Sequence, residues 1–157
     1  MKSEKPKLYA AYGSNLNIKQ MAHRCPTAQL CATGIIKDYE LQFKGRSQGA
    51  FATISHKAGS EVPVAVWELQ CEDEYSLDCY EGYPNHYFKK EIPVLLLDGR
   101  EVNAIVYIMN LRMGFGLPST QYYRTVHQGY VDCELNTNIL HKALSDSIME
   151  FYLSSLP

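Results

Sequence analysis

Two short segments of this chain contain residues whose types and spacing suit chemistry. The first segment is Tyr12-Gly13-Ser14-Asn15-Leu16. It stands between an apolar run at 8–12, which has the composition of a strand, and a helix-compatible stretch at 17–24. A chain that turns on a glycine and enters a helix leaves several backbone N–H groups without partners, and these groups point at one spot. The turn is therefore a candidate site for a carboxylate, a phosphate or a developing oxyanion.

The second segment surrounds Glu81, at the end of a predicted short helix over 72–81 that Gly82 terminates. A carboxylate in the last turn of a helix faces the negative end of the helix dipole, and several tyrosines crowd the same stretch of sequence. If Glu81 is also buried, both effects raise its pKa from about 4.3 toward neutrality. Such a carboxyl suits a general base at neutral pH. A solvated surface glutamate is the alternative interpretation.

The glycine turn also has a purely structural interpretation. It is then only a tight connection from a strand to a helix, with Ser14 or Asn15 as the helix cap. The segment lacks the additional glycines of a dinucleotide-binding fingerprint and the Gly-Lys-Ser/Thr ending of a P-loop. Nucleotide binding is therefore not favoured.

The histidines and cysteines predict neither a metal site nor a hydrolase triad. No two of the five histidines stand at helical spacing, and none belongs to a His-Glu-x-x-His pattern. The five cysteines are odd in number and form no Cys-x-x-Cys pair, so we expect free thiols in a reducing cytoplasm. His86 is the histidine that we expect nearest the pocket, although an ordinary loop position is the other interpretation.

Composition favours one domain over residues 1–157, with 1–6 as a loose tail. The apolar fraction is 46% and the net charge is −2, which gives no indication of a nucleic-acid partner. No apolar run approaches the roughly 20 residues of a membrane helix, and the polar N-terminus does not resemble a secretory signal. We therefore expect a cytoplasmic protein. Twelve tyrosines suit a pocket with apolar walls and a few polar spots.

The pattern of apolar residues predicts an α+β fold with about six mostly antiparallel strands and helices at their sides. Extended runs are expected at 8–12, 29–37, 39–45, 50–55, 62–69, 87–97 and 101–110. Turns are expected near 38 and at 57–60, and Asp98-Gly99 is typical of a hairpin. Further helices are expected from a cap at Ser119 or Thr120 to about 127, ended by Gly129, and over 139–153. A curved sheet, closed into a small barrel, fits this order.

Taken together, the glycine turn and Asp78-x-x-Glu81-Gly82-Tyr83-Pro84-x-x-Tyr87 resemble the gamma-glutamylcyclotransferase family, which includes the AIG2-like proteins. Segments at 51–54, 64–67 and 118–122 also resemble parts of that family, so the likeness runs from about 8 to about 140. The resemblance implies a small mixed, mostly antiparallel β-barrel flanked by α-helices. It also implies an enzyme with no metal and no cofactor.

The resemblance assigns a role to each residue that matches a motif. Glu81 is implied to be the catalytic base and acid. The residues implied to bind substrate are Tyr12, Gly13, Ser14, Asn15, Leu16, Tyr87 and Tyr122. Tyr123 is an alternative to Tyr122 in that alignment, and the sequence alone does not choose between them.

The implied reaction is an intramolecular acyl transfer, of the type classed as transferase or lyase. The α-amine of a gamma-glutamyl amide, such as a gamma-glutamyl peptide, attacks the γ-carbonyl and releases 5-oxoproline and a free amine or amino acid. The implied partner is a small-molecule gamma-glutamyl substrate, with no nucleic acid and no membrane. In the branch dedicated to glutathione a leucine usually replaces Asn15, so glutathione is disfavoured.

Several alternatives stay open at this point. One alternative keeps the glutamyl part of the substrate and changes the leaving group, so that the substrate is a gamma-glutamylamine or a larger gamma-glutamyl metabolite. The loop at 112–116 is expected to line the part of the pocket that holds the leaving group. A barrel that binds a small molecule without catalysis is the other class of function. The last helix either covers the barrel or pairs two chains in a homodimer.

Overall fold

The computed structural model describes residues 5–110 and 112–157, so the expected loose tail falls largely outside the described residues. Five strands form the barrel: β1 (Lys7–Ala11), β2 (Gln29–Lys44), β3 (Phe51–Leu69), β4 (Tyr87–Leu96) and β5 (Glu101–Met109). A 3₁₀ turn (Ser14–Leu16) follows β1. The helices are α1 (Ile18–Arg24), α2 (Cys71–Glu81), α3 (Thr120–Asp132) and α4 (Thr137–Ser154).

The strands close into a barrel in the order β1-β3-β2-β4-β5. Neighbouring strands are antiparallel except where β5 meets β1, where Tyr9 pairs with Ile105 in parallel. Apolar residues from every strand fill the interior, including the fully buried Phe43, Val64 and Val106. The predicted fold class, a small mixed and mostly antiparallel barrel with flanking helices, is confirmed.

The turns expected near 38 and at 57–60 are bulges inside two long strands, so that prediction was wrong. Asp38 and Gly59 have positive φ values of 62° and 84°, and the register of the β2–β3 ladder shifts beside Asp38. The Asp38 carboxylate accepts a hydrogen bond from the Gly59 N–H at 2.9 Å. Bulges use the same residue types as turns, because both need left-handed backbone. Two pairs of the seven predicted extended runs therefore merge, which leaves five long strands in the described residues against about six predicted.

The helix ends agree with the sequence at most positions. Gly82 ends α2 with φ +64°, Ser119 caps α3, and Asn136 caps α4. Helix α1 is capped by Asn17, whose side chain accepts from the Gln20 N–H. The expectation that Ser14 or Asn15 caps this helix was therefore wrong, because a 3₁₀ turn comes between the strand and the cap.

Gly129 does not end α3 as expected but lies inside it. A Cβ at this position would be 2.5 Å from the Cβ of Leu16 and 2.6 Å from the N of Asn17. Only a glycine lets α3 approach the 3₁₀ turn this closely. Gly129, which the sequence marks as the end of a helix, is therefore the point at which α3 packs against the 3₁₀ turn.

Helix α4 covers the barrel along β2, where the Ser147 hydroxyl accepts from the backbone N–H of Phe43 at 3.0 Å. Its last turns leave Met149, Tyr152 and Leu153 exposed. A homodimer through this helix stays a prediction. None of the helices in the described ranges has the length and apolar character needed to cross a membrane.

Candidate active site

One cavity of about 510 Å³ brings together the two segments singled out in the sequence. It opens beside the 3₁₀ turn and the C-terminal end of α2, which are far apart in sequence. The predicted site residues that line it are Tyr12, Gly13, Ser14, Asn15, Glu81, Tyr87 and Tyr122. Leu16 is the one predicted site residue that does not line it.

The 3₁₀ turn, whose residues Ser14 and Asn15 line the cavity, leaves two backbone N–H groups without a backbone acceptor in the described ranges. Its internal hydrogen bonds run from the Leu16 N–H to the Gly13 carbonyl at 3.1 Å and from the Asn17 N–H to the Ser14 carbonyl at 3.0 Å. Within the described ranges, the amides of Ser14 and Asn15 donate to no other backbone carbonyl. A Cβ at Gly13 would lie 3.4 Å from the Tyr122 hydroxyl and would occupy space above the turn. Adjacent unpaired amides of this kind suit an oxygen-bearing ligand.

The side chain of Asn15 belongs to the scaffold, because both ends of its amide are already bonded. It is only 2% exposed. Its Nδ2 donates to the Tyr9 hydroxyl at 3.0 Å, and its Oδ1 accepts from the Arg24 guanidinium. Asn15 therefore offers its backbone N–H to the cavity rather than its side chain.

Leu16 is fully buried and faces away from the cavity, which corrects the expectation of substrate contact. Its side chain meets the surface of α3 at Gly129, and its carbonyl accepts from the thiol of Cys133. An apolar side chain gains more from this burial than from a wet cavity wall. Leu16 anchors the turn from behind.

Glu81 lies in the cavity wall, in the last turn of α2, and is partly buried. Among the described residues its carboxyl has no salt-bridge partner within 4.0 Å. Burial raises its pKa from an ordinary value of 4.5 to about 7, and the positive charge of Arg24 opposes that rise. The alternative, a fully exposed surface glutamate, does not fit this position, because the residue is partly buried in the cavity wall. A carboxyl with this pKa exchanges a proton readily near neutrality.

Tyr87 and Tyr122 both form hydrogen bonds with the backbone of Ala52. The Tyr87 hydroxyl donates to the carbonyl of Ala52 at 2.9 Å, and the Tyr122 hydroxyl accepts from the Ala52 N–H at 3.0 Å. The proton of the Tyr122 hydroxyl is then free to point into the cavity. Tyr123 packs against Phe43 outside the cavity, so the geometry selects Tyr122 for the cavity wall.

Tyr12 and Tyr107 link the turn to α2 through β5. The Tyr12 hydroxyl donates to the Tyr107 carbonyl, and the Tyr107 hydroxyl donates to the Asp78 carboxylate at 2.5 Å. Lys89 forms ion pairs with Asp78 and Glu74, both at 3.0 Å. These contacts fix α2 against the barrel and so fix the position of its last residue, Glu81.

Sequence reasoning missed the cavity-lining residues Tyr9 and Tyr107, and it missed Arg24, which contacts the 3₁₀ turn from outside the cavity. Tyr9 and Tyr107 line the cavity from adjacent strands, and their rings meet edge to face at 5.8 Å. Their inward direction follows from the register of the barrel, which one sequence does not reveal. Arg24 ends α1 like an ordinary surface residue, and no local pattern marks its contact with Asn15.

The rim of the cavity includes a loop whose letters match a hydrolase motif that the sequence reasoning passed over, Gly45-Arg46-Ser47-Gln48-Gly49. A nucleophile elbow needs a strand before the serine and a helix after it. Here the loop joins β2 to β3, and Ser47 is not among the residues that line the cavity. The structure therefore does not support Ser47 as a nucleophile. Gly45 and Arg46 of the same loop contribute to the rim of the cavity.

Other rim residues come from loops. Met113 lines the cavity, so part of the loop at 112–116 contributes to its rim, and its place on the leaving-group side stays a prediction. His86 also lines it, beside Gly82, as the sequence suggested. In the described part of the chain, no group of three or more His, Cys, Asp and Glu side chains is placed to hold a metal ion.

Comparison with known proteins places the chain in a family. The family model described as "Gamma-glutamyl cyclotransferase, AIG2-like" matches residues 9–130. The gamma-glutamylcyclotransferases of Mus musculus and Homo sapiens are each 33% identical to the chain, over 78% of its length and 69% of theirs. A solved "Gamma-glutamyl cyclotransferase" is 28% identical, with a TM-score of 0.81 over 88% of this chain and 86% of that one. The chain belongs to the gamma-glutamyl cyclotransferase, AIG2-like family.

Proposed function

We propose that this protein is a gamma-glutamylcyclotransferase, which converts a gamma-glutamyl amide into 5-oxoproline and a free amine or amino acid. The observation that carries the proposal is the shared cavity: Glu81, with a pKa of about 7, lies in the same cavity as the unpaired amides of the 3₁₀ turn. The names of the relatives from mouse and human support the same reaction. The substrate is a small molecule, and the reaction uses only groups of the chain and the substrate.

In this reaction the substrate supplies its own nucleophile. The α-nitrogen of the glutamyl unit forms a bond to its γ-carbon, and the bond from that carbon to the leaving nitrogen breaks. The α-ammonium gives one proton to Glu81 and becomes the nucleophile. After the attack the ring nitrogen loses a second proton. The leaving nitrogen takes up both protons, including the one held by Glu81, and departs as an ammonium. Atoms and charge balance without an enzyme nucleophile. A cavity that holds the chain folded back makes the attack intramolecular, which raises the effective concentration strongly.

The raised pKa of Glu81 matches it to this proton transfer. An α-amine has a pKa of about 8 and an ordinary carboxyl about 4.3, a mismatch of about 5 kcal/mol. With the Glu81 pKa at about 7, the mismatch falls to roughly 1.4 kcal/mol. The carboxylate is then basic enough to take the proton and acidic enough to return it.

The 3₁₀ turn is suited to the negative charge that develops on the γ-carbonyl oxygen. The amides of Ser14 and Asn15 are fixed by the bonds of the turn, so they need no rearrangement when the charge appears. A preorganised donor of this kind contributes about 3 kcal/mol to the stability of the transition state. We propose that these amides bind the glutamyl oxygens and that the Tyr122 hydroxyl adds a further donor.

The leaving group faces the rim, where Arg46, Met109 and Met113 lie. This mixed lining is compatible with an amino acid, a simple amine or a larger metabolite as leaving group, so turnover of a substrate panel identifies it. We also propose a cytoplasmic location. All five cysteines are free, and Cys31, Cys71 and Cys79 are exposed, as suits a reducing compartment.

The first prediction concerns Glu81→Gln, which keeps the shape of the side chain and removes its proton transfer. We expect kcat to fall by about 10²–10⁴, with 5-oxoproline as the product of the wild-type enzyme. Mass spectrometry of products from gamma-glutamyl dipeptides and amines is the measurement. Glu72→Gln, at an exposed position in the first turn of the same helix, is the matched control and retains full activity. Full activity of Glu81→Gln, or release of free glutamate, contradicts the proposal.

The second prediction compares two neighbouring tyrosines of α3. We expect Tyr122→Phe to lower kcat/KM up to about tenfold, because it removes one neutral hydrogen bond to the substrate and one to Ala52. Tyr123→Phe is the control, since the buried Tyr123 hydroxyl has no partner among the described residues. Steady-state kinetics on one dipeptide substrate measures both variants. Equal kcat/KM in Tyr122→Phe and the wild type would remove the donor role from Tyr122.

Keeping Glu81 out of water has a cost in stability that depends on pH. The pKa of this carboxyl is about 7 in the folded chain against an ordinary value of 4.5. Between these two values the folded chain binds more protons than the unfolded chain, so the free energy of unfolding falls as the pH rises. The full effect, reached above pH 7, is about 3 kcal/mol at most.

The third prediction follows from this cost. Because Gln does not ionise, we expect Glu81→Gln to be more stable than the wild type at about pH 8, and to lose most of this advantage at about pH 5. The advantage should differ between the two conditions by roughly 2 kcal/mol. Urea unfolding at both values measures it, with Glu72→Gln as the control. A stability difference that does not change with pH would show that Glu81 is solvated.

A further inference from the structure

The guanidinium of Arg24 lies between the two halves of the candidate active site, although it does not line the cavity. One of its nitrogens donates to the Oδ1 of Asn15 in the 3₁₀ turn, and the other terminal nitrogen donates to the Gln20 side chain at 3.1 Å. Its central carbon lies 3.4 Å from the centroid of the Tyr80 ring on α2. Arg24 therefore touches the turn with its edge and α2 with its face.

We propose that Arg24 is a positioning residue that holds the oxygen-binding turn and Glu81 in register with each other. The contacts form a closed path: Arg24 to Asn15, along the turn to Ser14, from the Ser14 hydroxyl to the Tyr80 hydroxyl at 3.1 Å, and from the Tyr80 ring back to Arg24. Tyr80 directly precedes Glu81. This inference rests on the proposed function, in which the turn and the carboxyl act on the same substrate.

The arrangement needs an arginine rather than any cation. A planar guanidinium donates hydrogen bonds in its plane and packs an aromatic ring against its face at the same time. A lysine ammonium has no flat face, so it cannot hold Asn15 and Tyr80 together in this way. Lysine at position 24 is expected to keep the charge and lose the geometry.

Arg24 also acts on Glu81 through its charge. It lowers the pKa of this carboxyl, against the larger effect of burial, without forming an ion pair within 4.0 Å. Arg24 thus adjusts the pKa of the Glu81 carboxyl and leaves the carboxyl free to accept a proton. The other titratable and charged groups in the same cavity wall are the phenols of Tyr9 on β1, Tyr12 directly after β1, Tyr80 on α2, Tyr87 on β4, Tyr107 on β5 and Tyr122 on α3, together with Cys79, His86 and Arg46.

The test measures the dependence of kcat/KM on pH for Arg24→Gln and Arg24→Lys. In Arg24→Gln we expect kcat to fall about tenfold. We also expect the acidic limb of the profile, the pH range in which kcat/KM rises as Glu81 loses its proton, to move to higher pH by about 0.5–1 pH unit. The reason is that loss of a nearby positive charge raises the Glu81 pKa. In Arg24→Lys we expect a lower kcat with the acidic limb within about 0.3 of the wild type. Arg100→Gln, at an exposed hairpin, is the control and should match the wild type in both quantities.

A second variant separates the contact from the charge and serves if Arg24→Gln does not fold. Tyr80→Leu removes the ring that packs on Arg24 but leaves the guanidinium in place. We expect it to lower kcat without moving the acidic limb. A role in folding alone would lower the melting temperature of these variants and leave kcat and the limb unchanged, and that result overturns the inference.

Failure of this inference is distinct from failure of the proposed function. If the wild type makes 5-oxoproline and Glu81→Gln does not, but the folded Arg24→Gln keeps the wild-type kcat and acidic limb, only the role of Arg24 is overturned. If the wild type makes no 5-oxoproline from any gamma-glutamyl substrate, the proposed function and the role of Arg24 both fall.

Discussion

Burial of Glu81 in the cavity wall is the constraint on which the rest of the site depends. Phenol rings from three strands and two helices line the same cavity, and burial raises the pKa of Glu81 to about 7. A general base for an amine must have such a pKa, yet the same burial makes the folded chain less stable above neutrality. The barrel offsets this cost with an apolar interior that does not include the carboxyl.

Each half of the site is held by residues that have no direct part in the chemistry. Gly129 lets α3 press on the 3₁₀ turn from behind, and Leu16 fills that contact. Helix α2 is tied to β4 and β5 through Asp78, which pairs with Lys89 and accepts from Tyr107. The 3₁₀ turn and the Glu81 carboxyl are therefore held in place by different parts of the barrel. Contacts such as those of Arg24 are needed to fix their positions relative to each other.

Local signals allowed the sequence to predict the helix that ends at Gly82, the glycine turn and the Asp98-Gly99 hairpin, because backbone chemistry alone sets them. Asp38 and Gly59 led to a wrong prediction of turns, since a bulge and a turn need the same left-handed backbone. Gly129 was wrongly predicted to end α3 for a different reason. A glycine is needed there because α3 contacts the 3₁₀ turn, a segment more than a hundred residues away in sequence. Contacts of that kind, like those of Arg24, depend on how the barrel closes and leave no local pattern.

The most direct test of this account is a measurement of the Glu81 pKa in the folded protein. Carboxyl ¹³C NMR across a pH titration gives it, with the Glu81 resonance identified as the one that Glu81→Gln lacks. The account predicts a midpoint at about 7. A midpoint at about 4.5, the ordinary value for a glutamate, would show that water reaches the carboxyl and would contradict its role as the proton carrier.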